Sequence, residues 1–198
     1  MLVRIQLFIL IASSLAQASS THPLTKTELT NILKLYNNTK TLSSHFKQVK
    51  RISDLNVFIE SIGDLEVIYP NTVRWTITKP SYFQAVIQNG VLTLGTQNSQ
   101  AKDGQKKEVA RVDSPSLTKN LATLLMWLRL DIDSLYSSYF FYKQQTGKYT
   151  CTPKKQTNDI FNKMSFKIDP SGFLSELTLN EVSGDIMEIY FSSPNLSR

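Results

Sequence analysis

Alternating apolar and polar residues dominate the chain after residue 40 and predict a series of β-strands. In the first half, strand-like runs are interrupted at Pro70, which cannot donate a ladder hydrogen bond, and at Asn89-Gly90, a strong hairpin signal. The predicted strands are residues 46–51, 55–61, 64–69 and 72–78, followed by a hairpin within 81–96 and a short strand at 108–112. Neighbouring runs joined by short turns predict antiparallel pairing.

The C-terminal part of the chain has the same character. Strand-like runs are separated by short segments rich in Pro, Gly, Ser and Asp, which are the residues that favour turns. The predicted strands are residues 138–144, 147–152, 163–168, 174–180 and 186–191. Regular strands with short turns predict an antiparallel meander.

Two stretches have helical periodicity instead. In the first, Thr25 and Glu28 have the spacing of a capping box, and apolar residues then follow at helical spacing until Asn37-Asn38. The apolar stripe consists of Leu29, Ile32, Leu33 and Tyr36. This helix either plugs one end of the sheet or also forms a wall of a ligand cavity.

The second helical stretch spans residues 114–136 and starts at Ser114-Pro115, an N-cap residue followed by proline. Its stripe comprises Leu117, Leu121, Leu124, Leu125 and Leu128, widened by Met126 and Trp127. A shorter helical piece begins at Asp131-x-Asp133. The stretch either covers the sheet as part of the core or acts as a movable lid.

The first eighteen residues are predicted to be a secretory signal peptide. Arg4 precedes an apolar run at 5–15, and Ala16-Gln17-Ala18 has the small-x-small pattern of a cleavage site. The remaining 19–198, with 41% hydrophobic and 19% charged residues in the whole chain, are predicted to form a single domain.

Charge and cysteine content narrow the function classes. The formal net charge is +6, but the basic residues are scattered and lack the aromatic interleaving of a nucleic-acid groove, so no nucleic-acid partner is predicted. The single Cys151 cannot form an internal disulfide, so the domain depends on its apolar core for stability.

Candidate catalytic chemistry is missing from the sequence. His22 and His45 are the two histidines, too few for the usual triads or a multi-histidine zinc site, and no glycine-rich phosphate loop occurs. Asp131 and Asp133 form the closest carboxylate pair, but residues two apart on a helix diverge. No catalytic residues, metal or cofactor are therefore predicted, and a binding protein is favoured over an enzyme.

An ordered set of short motifs resembles the LolA family of periplasmic outer-membrane lipoprotein carriers, over about residues 26–193. The motifs are Phe46-x-Gln48, Ser61-x-Gly63-x-Leu65, Tyr69-Pro70, Val73-Arg74-Trp75, Thr78-Lys79-Pro80, Asn89-Gly90, Tyr149-x-Cys151-Thr152-Pro153-Lys154 and Ile189-Tyr190-Phe191-Ser192. The resemblance implies a mainly β fold with an α lid. Its expected form is a strongly curved, incompletely closed antiparallel sheet, or half barrel, covered by the N-terminal helix and the Leu-rich helix around an apolar cavity.

The resemblance also implies roles for particular residues. Arg74 matches an arginine that in the family bonds to the lid backbone and is needed for release of cargo, although Val73 stands where the family usually has phenylalanine. Strand alternation places Arg74 on the face opposite Val73 and Trp75. The candidates for lining the cavity or lid are Trp75, Leu117, Leu121, Leu124, Leu125, Leu128, Ile32 and Tyr36.

The function implied by the resemblance is transport of acylated lipoproteins by a periplasmic monomer. An ABC transporter in the inner membrane would load the carrier, and a receptor at the outer membrane would unload it. Two alternatives stay open: a carrier of another lipid, such as a glycolipid or a lipid intermediate, and a periplasmic regulatory module that senses lipids or lipoproteins.

Overall fold

The computed structural model describes residues 22–89, 91–96, 108–111, 123, 126–155 and 160–198; the predicted signal peptide lies outside these ranges. Within these ranges the strands are accompanied by the α-helices α1 (Lys26–Ile32) and α2 (Ile132–Ser138), a 3-10 turn at Lys34–Tyr36 and helical residues at 126–129. The strands are β1 (Thr41–Ile52), β2 (Val57–Ile68), β3 (Thr72–Lys79), β4 (Phe83–Gln88), β5 (Val91–Thr96), β6 (Glu108–Arg111), β7 (Tyr139–Gln145), β8 (Lys148–Pro153), β9 (Phe161–Ile168), β10 (Leu174–Glu181) and β11 (Ile186–Ser197).

Within the described ranges, these strands form one antiparallel sheet of eleven strands in the order β6-β5-β4-β3-β2-β1-β11-β10-β9-β8-β7. The last strand pairs with the first, so two meanders meet at the β1–β11 pair in the middle of the sheet. β6 and β7 lie at opposite edges and do not pair with each other, which leaves the sheet open. The prediction of a mainly β, incompletely closed antiparallel fold is confirmed.

One predicted break in the sheet is wrong. Residues 55–61 and 64–69 were expected to form two strands, but β2 runs through them without interruption. Gly63 lies where β2 and β3 approach closely: a Cβ atom there would be 1.9 Å from the carbonyl oxygen of Thr76. The pairing register with β3 shifts between Ile62 and Gly63. The glycine therefore permits a local irregularity within one strand and does not end it.

The N-terminal helix has its predicted cap. The Thr25 side chain accepts a hydrogen bond from the backbone of Glu28 at 3.3 Å, and the Glu28 carboxylate accepts one from the backbone of Thr25 at 2.8 Å. The α-helix is shorter than the pattern predicts, because the chain tightens into the 3-10 turn after Leu33. Leu29 and Leu33 are fully buried and attach the helix to the core.

The predicted Leu-rich helix is described in part. Residue 123 and residues 126–129 are helical, and a turn at Leu130 leads to Asp131, which caps α2. We call residues 126–130 the covering segment, because Trp127, Leu128 and Leu130 are buried within the hydrophobic core. No described helix has both the length and the apolar character needed to cross a membrane.

The sheet has one buried face and one exposed face. Along β1 and β2, the residues that point into the core include Leu42, Phe46, Leu65 and Val67, whereas the residues between them are largely exposed. We call the buried side the inner face and the other side the outer face. The alternation of apolar and polar residues in the sequence thus corresponds to side chains that point alternately into the core and toward solvent.

Candidate functional site

An aromatic cluster fills the inner face over one half of the sheet. The ring of Trp127 lies 5.5 Å from Tyr139, 5.8 Å from Phe141 and 5.9 Å from Phe166, measured between ring centroids. The indole nitrogen of Trp127 is buried and has no hydrogen-bond partner among the described residues. We call the inner sides of β7–β10 with Trp127 the packed half.

The inner sides of β3–β5 form a second region, which we call the partly exposed half. At its inner end, Trp75 is buried and stacks on Phe46 with ring centroids 3.6 Å apart. Further along the strands, apolar inner side chains contact the core but keep part of their surface accessible. These are Ile77, Phe83, Ile87 and Leu94.

A small apolar cavity lies beneath the covering segment, between the two halves. Its volume is about 20 Å³, and it is lined by Tyr36, Leu42, Ser44, Leu65, Leu128, Leu130, Leu174, Phe191 and Pro194. A space of this size holds about one water molecule. At this point, among the described residues, the covering segment therefore packs closely against the inner face.

Tyr69 bonds the sheet to the covering segment. Its hydroxyl donates a hydrogen bond to the backbone carbonyl of Arg129 at 2.9 Å. A tyrosine hydroxyl is protonated and able to donate at neutral pH, and burial raises the pKa of Tyr69 further, with a smaller contribution from Tyr36. The sequence pattern identified Tyr69 as a turn residue before Pro70 and did not indicate this contact, because the partner is sixty positions away.

A larger cleft of mixed polar and apolar lining opens beside this hydrogen bond. It has a volume of about 480 Å³ and is lined by Thr30, Tyr36, Asn37, Asn38, Tyr69, Pro70, Arg129, Leu130, Asp131, Ile132 and Asp133. Arg129 lies 3.8 Å from the Asp131 carboxylate, which also caps α2 by accepting from the backbone of Ser134. The end of the covering segment is thus attached by polar contacts, while its middle is attached by apolar burial.

Arg74 lies on the outer face. It pairs directly across the strands with Glu66, and their side chains form a salt bridge in which both are about two-fifths exposed. Alternation places Arg74 opposite Val73 and Trp75, as predicted; since those two face the core, Arg74 points away from it. Within the described residues, the partner of Arg74 is therefore the neighbouring Glu66 carboxylate, and the bond to the lid backbone that the resemblance implies stays a prediction.

The other predicted site residues fall into two groups. Trp75, Tyr36 and Leu128 are buried in the core, and Ile32 is partly buried against it. The structure brings Tyr36 and Leu128 together at the small cavity. The remaining four candidates, Leu117, Leu121, Leu124 and Leu125, lie outside the described residues.

The described part of the chain contains few groups suited to nucleophilic or metal chemistry. Cys151 is fully buried, and burial raises the pKa of its thiol well above the ordinary value, which keeps it protonated and unreactive. Among the described residues, no cluster of three or more His, Cys, Asp or Glu side chains could hold a metal ion. The described chemistry of the inner face is that of apolar burial with a few hydrogen bonds.

Comparison with known proteins adds a family match. The family model described as outer membrane lipoprotein carrier protein LolA matches residues 37–198. Among solved structures, the chain is similar to a LolA superfamily protein from Nitrosomonas europaea, with 10% identity, coverage of 88% of this chain and 94% of that chain, and a TM-score of 0.44. No curated protein matches the chain.

Two further solved structures are similar to the chain, with comparable identities and TM-scores. One is a DUF1329 family protein from Desulfovibrio piger, with 11% identity, coverage of 89% of this chain and 94% of that chain, and a TM-score of 0.37. The other is the MucA/MucB complex of Pseudomonas aeruginosa, with 12% identity, coverage of 87% of this chain and 57% of that chain, and a TM-score of 0.41.

Proposed function

The chain belongs to the LolA family, and on this premise we propose that it is a periplasmic carrier that shelters the acyl chains of lipoproteins and moves them from the inner to the outer membrane. The observation that carries the proposal is the apolar inner face of an open sheet beneath a short covering segment. The proposed activity is binding and release, without catalysis.

The apolar character of the inner face supplies the driving force for binding. At about 0.8 kcal/mol per methylene, a sixteen-carbon acyl chain costs about 12 kcal/mol to leave in water. Side chains of the partly exposed half, such as Trp75 and Leu94, belong to the apolar inner face and offer such contacts. Burial of the acyl chain against these side chains would make transport through an aqueous compartment possible.

Loading requires the covering segment to move. The cavity of about 20 Å³ beneath the covering segment is far too small for an acyl chain. Displacing Leu128 and Leu130 would join this cavity to the partly exposed half, where Ile87 and Leu94 already have accessible surface. We infer that cargo enters on this side, while the packed half keeps its contacts.

Release requires that the closed state be held weakly enough to reopen. The hydrogen bond from Tyr69 to Arg129 is one neutral contact, and such a bond contributes about 1 kcal/mol net. A contact of this strength biases the covering segment toward the closed position without locking it. We therefore assign a lid-holding role to Tyr69, alongside the role that the resemblance implies for Arg74.

The proposed cycle has two protein partners besides the cargo. An inner-membrane ABC transporter would load the carrier and an outer-membrane receptor would unload it, with transfer directed by the higher affinity of the receptor for cargo. The carrier would act as a monomer after removal of residues 1–18. No cofactor takes part in this cycle.

Native mass spectrometry with lipid extraction, on protein purified from its own periplasm, tests the proposal. We expect a bound lipoprotein that carries acyl chains. A different co-purifying lipid would instead identify a carrier of that lipid. Protein that is reproducibly empty and binds no fluorescent fatty acid would contradict the carrier function and favour a sensing module.

The role of Tyr69 is tested separately with Tyr69→Phe. Loss of about 1 kcal/mol in the closed state should raise the open population about fivefold, and the exchange rate of a bound fluorescent fatty acid should rise by the same factor. Tyr190→Phe is the matched control, because Tyr190 lies on the outer face and is exposed. Equal exchange rates in the two variants would remove Tyr69 from the mechanism.

A further inference from the structure

Three exposed apolar side chains lie at one end of the sheet: Leu55 and Val182 on two neighbouring turns, and Phe58 near the start of β2. Leu55 is 69% exposed, Val182 67% and Phe58 62%, the highest values among the large apolar side chains in the described part of the chain. We call residues 51–59 and 182–185 the hairpin tip: they comprise the β1–β2 turn with the strand ends beside it and the β10–β11 turn. Apolar side chains grouped at the surface in this way mark contact sites.

Polar contacts hold the two turns of the hairpin tip together. The backbone N–H of Ser53 donates to the Asp185 carboxylate at 2.9 Å, and the Ser53 hydroxyl donates to the carbonyl of Gly184. Behind the turns, Lys50 lies 2.8 Å from Glu181 and 3.6 Å from Asp185. The polar groups of the two turns therefore bond to each other and fix the positions of the turns, while Leu55 and Val182 remain exposed.

The hairpin tip also projects beyond the neighbouring strand. Pairing between β2 and β3 ends at Ile62 and Lys79, and Pro80, which has no N–H to donate, follows directly. Residues 57–61 of β2 thus pair with β1 on one side and extend past β3 on the other. Phe58 lies on this extension, past the end of the pairing with β3.

The size and shape of the hairpin tip favour a membrane over a protein partner. Three side chains present roughly a few hundred Å² of apolar surface, well below the roughly 800 Å² that each partner buries in a stable protein interface. A fluid lipid interface needs no matching surface and accepts apolar side chains from a convex tip. The guanidinium of Arg51 lies 6.0 Å from the Phe58 ring, where it could remain among the headgroups.

We propose that the hairpin tip is a membrane-contact site that inserts Leu55, Phe58 and Val182 into the boundary between headgroups and acyl chains. The charges in this region offset each other, since Lys50 is paired with acidic side chains and Asp54 lies three residues from Arg51. Binding is therefore driven by apolar burial, with little dependence on salt or on anionic lipid. It requires no cargo and stands independently of the proposed carrier function.

Vesicle flotation of the mature chain tests the site. We expect binding to phosphatidylcholine vesicles, and similar binding when phosphatidylglycerol is added. Replacing Leu55 and Phe58 with serine should lower the vesicle-bound fraction at least about tenfold. The matched control replaces Ile68 and Phe140 with serine, because these apolar side chains are also exposed but lie away from the hairpin tip. Equal losses in both double variants, or no binding by the native chain, would overturn the proposal.

A gain of signal provides a second test. Trp75 and Trp127 are buried, so a Phe58→Trp variant adds one exposed indole to a constant background. Its emission should shift to the blue with vesicles and be quenched by brominated acyl chains. An unchanged spectrum would contradict insertion. Concentration-dependent dimers of the native chain that are lost in the serine variant, without vesicle binding, would identify a protein interface instead.

Discussion

The two halves of the inner face differ in how completely they are covered. In the packed half, Trp127 and Phe141 are about 1% exposed, and the rings around them contact each other within about 6 Å. In the partly exposed half, Phe83 and Leu94 contact the core but retain accessible surface. Both halves come from the same alternating pattern, so the difference arises from what covers them.

This difference suits the packed half to stabilising the fold and the partly exposed half to binding a ligand. A tightly packed interior resists rearrangement, because every displaced side chain loses many contacts at once. An incompletely covered apolar surface gains free energy when a ligand covers it. In such a sheet, the packed half can maintain the fold while the partly exposed half opens to a ligand.

The largest expected effect comes from breaking the packed half. Replacing Trp127 with alanine removes the ring that contacts Tyr139, Phe141 and Phe166, and should lower the free energy of unfolding by about 3 to 5 kcal/mol. Chemical denaturation measures the loss. Phe140→Ala is the control, because Phe140 precedes Phe141 on the same strand but is exposed, and should cost under about 1 kcal/mol. Similar losses in the two variants would contradict the distinction between the halves.

The next effect concerns Tyr36, whose hydroxyl accepts a hydrogen bond from the backbone of Leu174 at the start of β10. Burial raises the pKa of Tyr36 to about 12 from an ordinary value of 10.0. Between these values the unfolded chain loses the proton and the folded chain keeps it. The free energy of unfolding should thus be unaffected by this group below pH 10 and should fall by about 3 kcal/mol as the pH rises to about 12.

Denaturation measured from pH 9 to 12 checks this dependence. Tyr36→Phe should flatten the decline, although it also leaves the Leu174 N–H without its partner and costs about 1 to 3 kcal/mol at every pH. Burial also raises the pKa of Tyr69, so part of the decline should remain in the variant. An unchanged slope in Tyr36→Phe would show that this hydroxyl does not titrate with unfolding.

A smaller effect on stability, paired with a larger effect on binding, is expected in the partly exposed half. Leu94→Ser should lower the free energy of unfolding by about 1 kcal/mol and the affinity for a fluorescent fatty acid by about tenfold. Val91→Ser is the matched control on the outer side of the same strand. If both substitutions leave fatty-acid binding unchanged, the acyl chain does not use this half.

The smallest effect is expected on the outer face. The salt bridge between Arg74 and Glu66 is partly exposed, so Arg74→Leu should lower the free energy of unfolding by less than about 1 kcal/mol and leave the rate of fatty-acid release unchanged. The resemblance implied the opposite outcome, a folded protein that traps its cargo. A slow-releasing, fully folded variant would therefore restore Arg74 to the lid mechanism.

Most strands were predictable because alternation depends on residues two positions apart. The antiparallel pairing of β4 with β5 and the capping box at Thr25 were also predictable from residues close together in the sequence. The continuity of β2 was not, because Gly63 is required by the close approach of Thr76 on β3 and not by a local turn. The contact of Tyr69 with Arg129 joins residues sixty positions apart and leaves no local pattern.

The amino-acid sequence by itself determined most of the strands along the chain, the turns between them and the two sets of side chains on each strand. These sets include Arg74 on one side and Val73 and Trp75 on the other. Only the tertiary structure decided which set is covered, because alternation defines two faces without stating which one a distant helix will bury. The same packing placed Arg74 beside Glu66 and Tyr69 beneath the covering segment.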